Sequence, residues 1–310
     1  MNQALGITAA MATLVCWTIG TFSFTEASKN AEPLSVNRVR LLFATAALSI
    51  IVLAAFSSNA ISSSPEQWLW LGSSGIIGLT IGDYFAFTAY RTIGGSHASL
   101  FATFAPCAAW VMGSILLNEQ INSTGLLGMS VSLSGITWFV WINSRGTHTE
   151  SPYALRGMLF AMLGAVCQGV GLVLAKKGMS INHIEAVPAT WMRMLVATGM
   201  TYFIGAWRTS LFTEFKTLVF QSKAVKPMLA GTLFGPVAGV SCSLLAVQHL
   251  EVSVAQTLFS MLPLSVILVA VCTGRERVKW YAWPAAAISI MGVVLLVWRN
   301  QLNEWMAFYI

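Results

Sequence analysis

Apolar residues in this chain come in blocks of about twenty, the length a helix needs to cross the ~30 Å hydrocarbon core of a bilayer. Ten such blocks can be placed, near 4–26, 35–56, 67–90, 95–117, 123–142, 154–176, 187–206, 227–248, 252–273 and 280–298. Only 9% of the 310 residues are charged, against about 25% in soluble domains, so a water-soluble fold would lack polar surface. In lipid every backbone group must be satisfied within the protein, and a helix does this within one segment. The blocks therefore predict an all-α polytopic membrane protein with ten transmembrane helices. The longest connections are 57–66, 143–153 and 207–226, too short for a separate soluble domain. The first block has no Lys or Arg before it and exceeds a signal-peptide core in length, so it reads as a retained membrane helix.

Several function classes fall away on residue type alone. The 17 basic residues are scattered, with no basic run interleaved with aromatics, so nucleic acid is not an expected partner. The five cysteines all lie inside apolar blocks without a CxxC pair, and read as small buried hydrophobes. The four histidines are far apart and lack ligand spacing, so no metal and no cofactor is expected. No Gly-x-x-x-x-Gly-Lys-[Ser/Thr] loop is present for direct use of ATP. Neither a His–Glu metal motif nor a convincing Ser/Lys or double-Asp pair appears, and the chain does not read as an enzyme.

The chain repeats itself. At an offset of 157, Gly78 falls on Gly235, Gly82 on Gly239, Ala89 on Ala246, Pro106 on Pro263, Glu119 on Glu276, Gly135 on Gly292, Trp141 on Trp298 and Asn143 on Asn300. Shorter offsets align the Arg-Leu-Leu-Phe-Ala-Thr-Ala at 40–46 with Arg-Met-Leu-Val-Ala-Thr-Gly at 193–199, and Gly6, Cys16 and Gly20 with Gly157, Cys167 and Gly171. Each repeat holds five blocks, an odd number, so the second enters the membrane from the opposite side. This predicts two inverted five-helix repeats related by a pseudo-twofold axis in the membrane plane, an architecture in which carriers alternate access around a midplane site.

These residues resemble the drug/metabolite transporter (DMT) superfamily, of the EamA type. The resemblance rests on Trp17 and Gly20 in the first block, Arg40 and Arg193 opening the second of each half, and the small-residue third block. It also rests on a Pro followed 13 residues later by Glu, at Pro106/Glu119 and Pro263/Glu276. Gln168 departs from the pattern where a Trp is expected, as do Asn118 and Arg275 where Gly before the Glu is common. The resemblance implies two EamA-like repeats, 1–143 and 154–299, a linker 144–153 and a tail 300–310. It further implies a multi-pass protein of the bacterial inner (cell) membrane that exports or exchanges amino acids, other metabolites or drugs. It also implies cytoplasmic termini. The loop charges point the other way, because Lys and Arg favour the cytoplasm: only Lys176, Lys177 and Arg299 of the 17 lie on the side of the termini.

Asp83, the only aspartate, lies inside the third block. An ionised Asp near the bilayer centre costs about 2.5–3.5 kcal/mol, so it faces a partner, a cavity or a proton path. Arg40 enters from the same surface to a similar depth, and the two are expected to pair. Asp83 then reads either as a proton or substrate-amine site or as half of a structural ion pair. Arg193 has Val240 where Arg40 has Asp83; it reads either as a receptor for an anionic group or as a helix-end Arg snorkelling to the interface. Ser99 and Thr103, with their mates Gln256 and Ser260, place a polar stripe just before each Pro, for lining a cavity or for helix–helix hydrogen bonds. Trp17, its mate Gln168, Tyr84 and Trp191 complete the candidate substrate-binding set. Gly75, Gly78, Gly82, Gly235 and Gly239 read as close-packing surfaces, and Glu119 and Glu276 as capping or ion-pairing residues.

The sequence thus predicts a secondary carrier of a small amphipathic metabolite, such as an amino acid, working by alternating access between the repeats. Its expected partners are the small-molecule substrate, membrane lipids and protons as a coupling ion, and duplication makes a monomer sufficient. The alternative on the same scaffold is a flippase for a lipid or lipid-linked substrate.

Overall fold

The computed structural model describes residues 2–28, 33–56, 64–93, 98, 101–144, 154–206, 222–274 and 283–302. Among these residues the chain is helical apart from short turns, and no strand occurs. The first half supplies α1 (Gln3–Ser28), α2 (Pro33–Ala55), α3 (Pro65–Gly75), α4 (Asp83–Ile93), α5 (Phe104–Leu116) and α6 (Ser123–Ser144). The second supplies α7 (Ala154–Ser180), α8 (Ala186–Ala206), α9 (Ser222–Thr232), α10 (Val240–His249), α11 (Val252–Phe259), α12 (Leu262–Cys272) and α13 (Trp283–Val297). Six stretches among the described residues are long and apolar enough to cross a membrane: Gln3–Ala27, Asn37–Ala55, Ser123–Ile142, Leu155–Ser180, Val225–His249 and Val252–Cys272. Phe101–Leu116 and Trp283–Val297 are apolar but shorter. The rods at 65–93 and 186–206 are more polar, and carry Asp83 and Arg193.

Helix starts follow local chemistry. Ser64 opens α3 with a capping box: its hydroxyl accepts from Gln67 N–H at 3.3 Å, and Gln67 Oε1 accepts from Ser64 N–H at 3.1 Å. Pro65 takes the first helical position, where a missing N–H costs nothing. The N-terminal turn of α11 is capped from the other half, by Glu119 Oε2 accepting from Val252 N–H at 2.8 Å.

Regular helix is interrupted at equivalent places in the two halves. α3 passes into α4 through a π-helical stretch, Ile76–Gly82, and α9 into α10 through another, Leu233–Gly239. Ile76 and Leu233 are mates at the 157-residue offset, as are Gly82 and Gly239. Pro236 gives the second stretch a local cause, since proline cannot donate to the helical ladder. The fourth rod of each half also breaks. A 3₁₀ turn at Phe101–Thr103 precedes α5, and a turn at Ser260 and Met261 separates α11 from α12. The mates Thr103 (φ −65°, ψ −14°) and Ser260 (φ −65°, ψ −11°) share one backbone conformation. Pro106 and Pro263 follow three residues later and deny each carbonyl four residues back its usual partner.

Packing between halves is reciprocal. α7 of the second half lies along α3, the first π stretch and α4; α1 of the first half lies along α9, the second π stretch and α10. Glycines permit both crossings. A Cβ on Gly171 would come within 2.9 Å of Gly78 Cα, and one on Gly20 within 3.3 Å of Gly235 Cα. These are the same contact seen twice, since Gly20 and Gly171 are mates and so are Gly78 and Gly235. α2 meets α8 through the mates Thr45 and Thr198, whose hydroxyls bond each other at 2.8 Å. α6 meets α13 with Gly135 against the backbone of Ser289 and Gly292 against that of Ser132, again mates exchanged. The glycines that the sequence marked as packing surfaces do pack this way.

Candidate functional site

Four polar side chains from both halves converge where α2, α4, α7 and α8 approach the first π stretch. Asp83 opens α4 directly after that stretch and is 7% exposed. Arg40 Nη2 donates to Asp83 Oδ2 at 2.5 Å, forming the pair expected from the depths of the two residues. Arg40 is fixed further by its Nε–H donating to Asn37 Oδ1 at 2.6 Å. The rings of Phe24 and Phe87 each lie 5.3 Å from its guanidinium carbon, within cation–π range. From the second half, Gln168 Nε2 donates to Asp83 Oδ1 at 3.2 Å and to the Gly78 carbonyl at 3.1 Å. Both carboxylate oxygens are thus held, one by each half.

The bonding of the π stretch explains why Gln168 is needed. In the second half the Val240 N–H reaches the carbonyls of Gly235 and Val237. In the first half the equivalent Asp83 N–H bonds Thr80 O, and the Gly78 carbonyl, mate of Gly235, takes its bond from Gln168 instead. At the mirror position Trp17 replaces Gln168. Its ring meets Phe259 edge-on at 5.2 Å and lies directly over Gly239. Carboxylate and amide on one side correspond to valine and indole on the other.

Arg193 corrects one expectation from the sequence. A snorkelling Arg would run along its helix to the interface, but this residue is 3% exposed, two turns inside α8. Its Nε and Nη1 are buried without a hydrogen-bond partner. It lies within electrostatic range of Asp83, and its Nη2 is 3.5 Å from where a Cβ on Gly78 would be. The guanidinium thus lies beside the Gly78 backbone at ordinary van der Waals distance.

The other candidates lie around this cluster. Trp191 Nε1 donates to Ser49 Oγ at 2.9 Å, and its ring meets Trp68 edge-on at 5.9 Å, so it ties α8 to α2 and α3. Tyr84 is 46% exposed with its ring 5.8 Å from Phe85, and does not join the Asp83 cluster. Gln256 and Ser260 are buried, and the Ser260 hydroxyl donates to the Gln256 carbonyl at 2.9 Å, back into its own helix. Thr103 marks the break before α5; Ser99 and Glu276 lie outside the described residues. Glu119 both caps α11 and pairs with Lys176, whose Nζ donates to Glu119 Oε1 at 2.7 Å and to the Leu250 carbonyl at 2.6 Å. Arg299 is buried and pairs with Glu251 at 2.5 Å. Among the described residues no group of His, Cys, Asp and Glu is arranged to hold a metal ion.

Sequence reasoning missed Asn37, Phe24 and Phe87. Phe87 is one turn beyond Asp83 and Asn37 three residues before Arg40, so helical spacing carried a signal for both.

A family model described as the EamA-like transporter family matches residues 4–141 and 155–298. No curated protein matches the sequence. Among solved structures 29 chains match. One, titled "Crystal structure of protein", superposes over 96% of this chain and 98% of its own length with a TM-score of 0.74 and 15% identity, a likeness of fold alone.

Proposed function

The chain belongs to the EamA-like transporter family, and from that premise we propose that it moves a small metabolite across the membrane by alternating access between its two halves. Family membership makes it a multi-pass integral membrane protein and a transporter of the DMT type. On our reading the described rods complete ten spans, arranged as two inverted five-helix repeats, in the inner membrane of a bacterium. One chain then contains the whole pathway and works as a monomer, exporting or exchanging a compound such as an amino acid, with protons as a candidate coupling ion.

One observation carries this reading: the cluster of Arg40 and Asp83 from the first half with Gln168 and Arg193 from the second. Charges buried at a junction of repeats are expensive to keep in a membrane protein and mark substrate or ion pathways. Helix irregularities next to the cluster recur in both halves, which gives each half a place to bend. Arg40, Asp83, Gln168 and Arg193 form the centre of the proposed site. Trp17, Thr103, Trp191, Gln256 and Ser260 are its proposed walls, and Tyr84 its approach.

The test is a thermal-shift screen of detergent-purified protein against amino acids, nucleosides, polyamines and organic acids, beside Asp83→Asn. A ligand at 100 times its dissociation constant adds about 2.7 kcal/mol of apparent stability. The expected result is a hit in one class that Asp83→Asn weakens. A hit that Asp83→Asn leaves unchanged removes the cluster from the site, and stabilisation by lipid extracts alone replaces the metabolite with a lipid.

A further inference from the structure

We propose that Arg193 is the subsite for the head group of the cargo, and that this group is a monovalent planar oxyanion, a carboxylate. The proposal rests on the transporter reading and deepens it by naming a substrate class. Within the cluster two guanidiniums face a single carboxylate. Asp83 is committed on both oxygens, to Arg40 through Oδ2 and to Gln168 through Oδ1. Arg40 is committed as well, with Asn37 on its Nε and an aromatic ring at 5.3 Å on each of two sides.

Arg193 stands apart from that arrangement. Nε and Nη1 of its planar fork have no hydrogen-bond partner, at 3% exposure of the residue. Its mate Arg40 owes its own partner to Asp83, and the residue equivalent to Asp83 in the second half is Val240. Two other described carboxylates are engaged elsewhere: Glu119 with Lys176 and Glu251 with Arg299. A buried, charged guanidinium with two of its nitrogens unbonded is a costly feature. A carboxylate arriving from outside supplies both the missing charge and an acceptor pair matched to the fork.

The count of charges selects among ligand classes. Two cations and one anion leave one positive charge uncompensated, which a carboxylate neutralises and a phosphate dianion would overshoot. A cationic amine would add a third positive charge beside Arg40 and Arg193 and would share Asp83 oxygens that already accept from Arg40 and Gln168. The guanidinium lies against the helix crossing, 3.5 Å from the Cβ position of Gly78, with Gly171 Cα 3.7 Å from that same point. Nε and Nη1 are closed off in the state described, so the carboxylate reaches them when α8 and the π stretch part.

Matched probes test this on the full-length protein in detergent. Acetate, propionate and 3-phenylpropionate are compared by thermal shift with their primary amides and with 3-phenylpropylamine, on wild type, Arg193→Gln and Arg193→Lys. At least one acid should raise the melting temperature in a saturable way while its amide binds about ten-fold or more weaker, as expected from loss of a charge-assisted contact. Arg193→Gln should abolish the response to acids yet melt no lower than wild type without ligand, because it breaks no hydrogen bond. Arg193→Lys keeps the charge without the fork, should weaken the response, and serves if the Gln variant does not fold. Three outcomes overturn the subsite: no response to any acid, equal responses to acid and amide, or acid responses that survive Arg193→Gln. If an amine or a neutral metabolite stabilises the wild type while the acids do not, the transporter reading stands and only the anion subsite falls.

Discussion

Replacing Asp83 with leucine removes the one carboxylate that faces two buried guanidiniums. The side chains of Arg40 and Asp83 are 16% and 10% exposed, so the values for exposed ion pairs, about 0–1 kcal/mol, do not apply. Breaking a buried pair from one side leaves the other charge stranded, at about 3–5 kcal/mol. For a large chain each kcal/mol moves the melting temperature by about 2–4 °C, so Asp83→Leu should melt roughly 6–20 °C below wild type. The second site of the cycle carries the discriminating power. Arg40→Met in the Asp83→Leu background removes the stranded charge, and apolar replacement of a whole buried pair is often neutral. What then remains lost is the donor to Asn37 Oδ1 and the acceptor for Gln168 Nε2, about 1 kcal/mol each for neutral partners, together with the charge opposite Arg193. The double variant should therefore recover the part of the loss that the stranded Arg40 causes. The assay is thermal or denaturant unfolding of the four members of the cycle in one detergent. A double variant no more stable than Asp83→Leu would refute the argument, because it would mean that Arg40 is not the charge left uncompensated.

Two further predictions concern the glycine crossings and the pair of Glu119 with Lys176. Gly171→Ala should cost about 1–3 kcal/mol, the range for overpacking, since its Cβ would approach Gly78 Cα at 2.9 Å; Gly20→Ala, with 3.3 Å to Gly235 Cα, should cost less. Melting curves giving the reverse order would show that the crossings yield elsewhere. Glu119→Gln keeps an oxygen for the Val252 N–H but loses the charge opposite Lys176, and should cost about 2 kcal/mol. In a Lys176→Met background the same change should cost clearly less, and an equal loss in both backgrounds would show that the pair does not couple the halves.

The membrane class was legible because 56% hydrophobic residues in helix-length blocks leave few other folds. The Arg40–Asp83 pair was legible too, because depth along a straight helix follows from residue count. The π stretches were not. Over seven residues an apolar pattern does not distinguish 3.6 residues per turn from a wider turn, and only the repeated glycines hinted that something approached there. The snorkelling reading of Arg193 fails because a seven-residue distance from the start of α8 at Ala186 only resembles a helix end. The sequence does not show that the rod at 65–93 covers that end, with Gly75 against the Arg193 carbonyl. Lys176 was counted as a loop charge, yet α7 continues to Ser180 and turns it inward to Glu119.

A duplicated chain supplies its own control, since residues aligned by the repeat can be compared with their mates. Where mates agree, the structure uses them twice: Gly20 and Gly171 at the crossings, Thr45 and Thr198 against each other, Thr103 and Ser260 at the breaks. Where mates differ, independent drift would scatter the differences over the fold. Two of the departures instead meet in space. Asp83 in place of valine and Gln168 in place of tryptophan are bonded to each other, while Val240 and Trp17 occupy the mirror region. The two changes complement each other: valine opposite Gln168 would leave its amide with the Gly78 carbonyl only, and Gln168 supplies the donor that Asp83 Oδ1 uses. Complementary departures of this kind break the symmetry at one charged position while the surrounding scaffold keeps it, as a site for a single asymmetric ligand in a twofold frame requires.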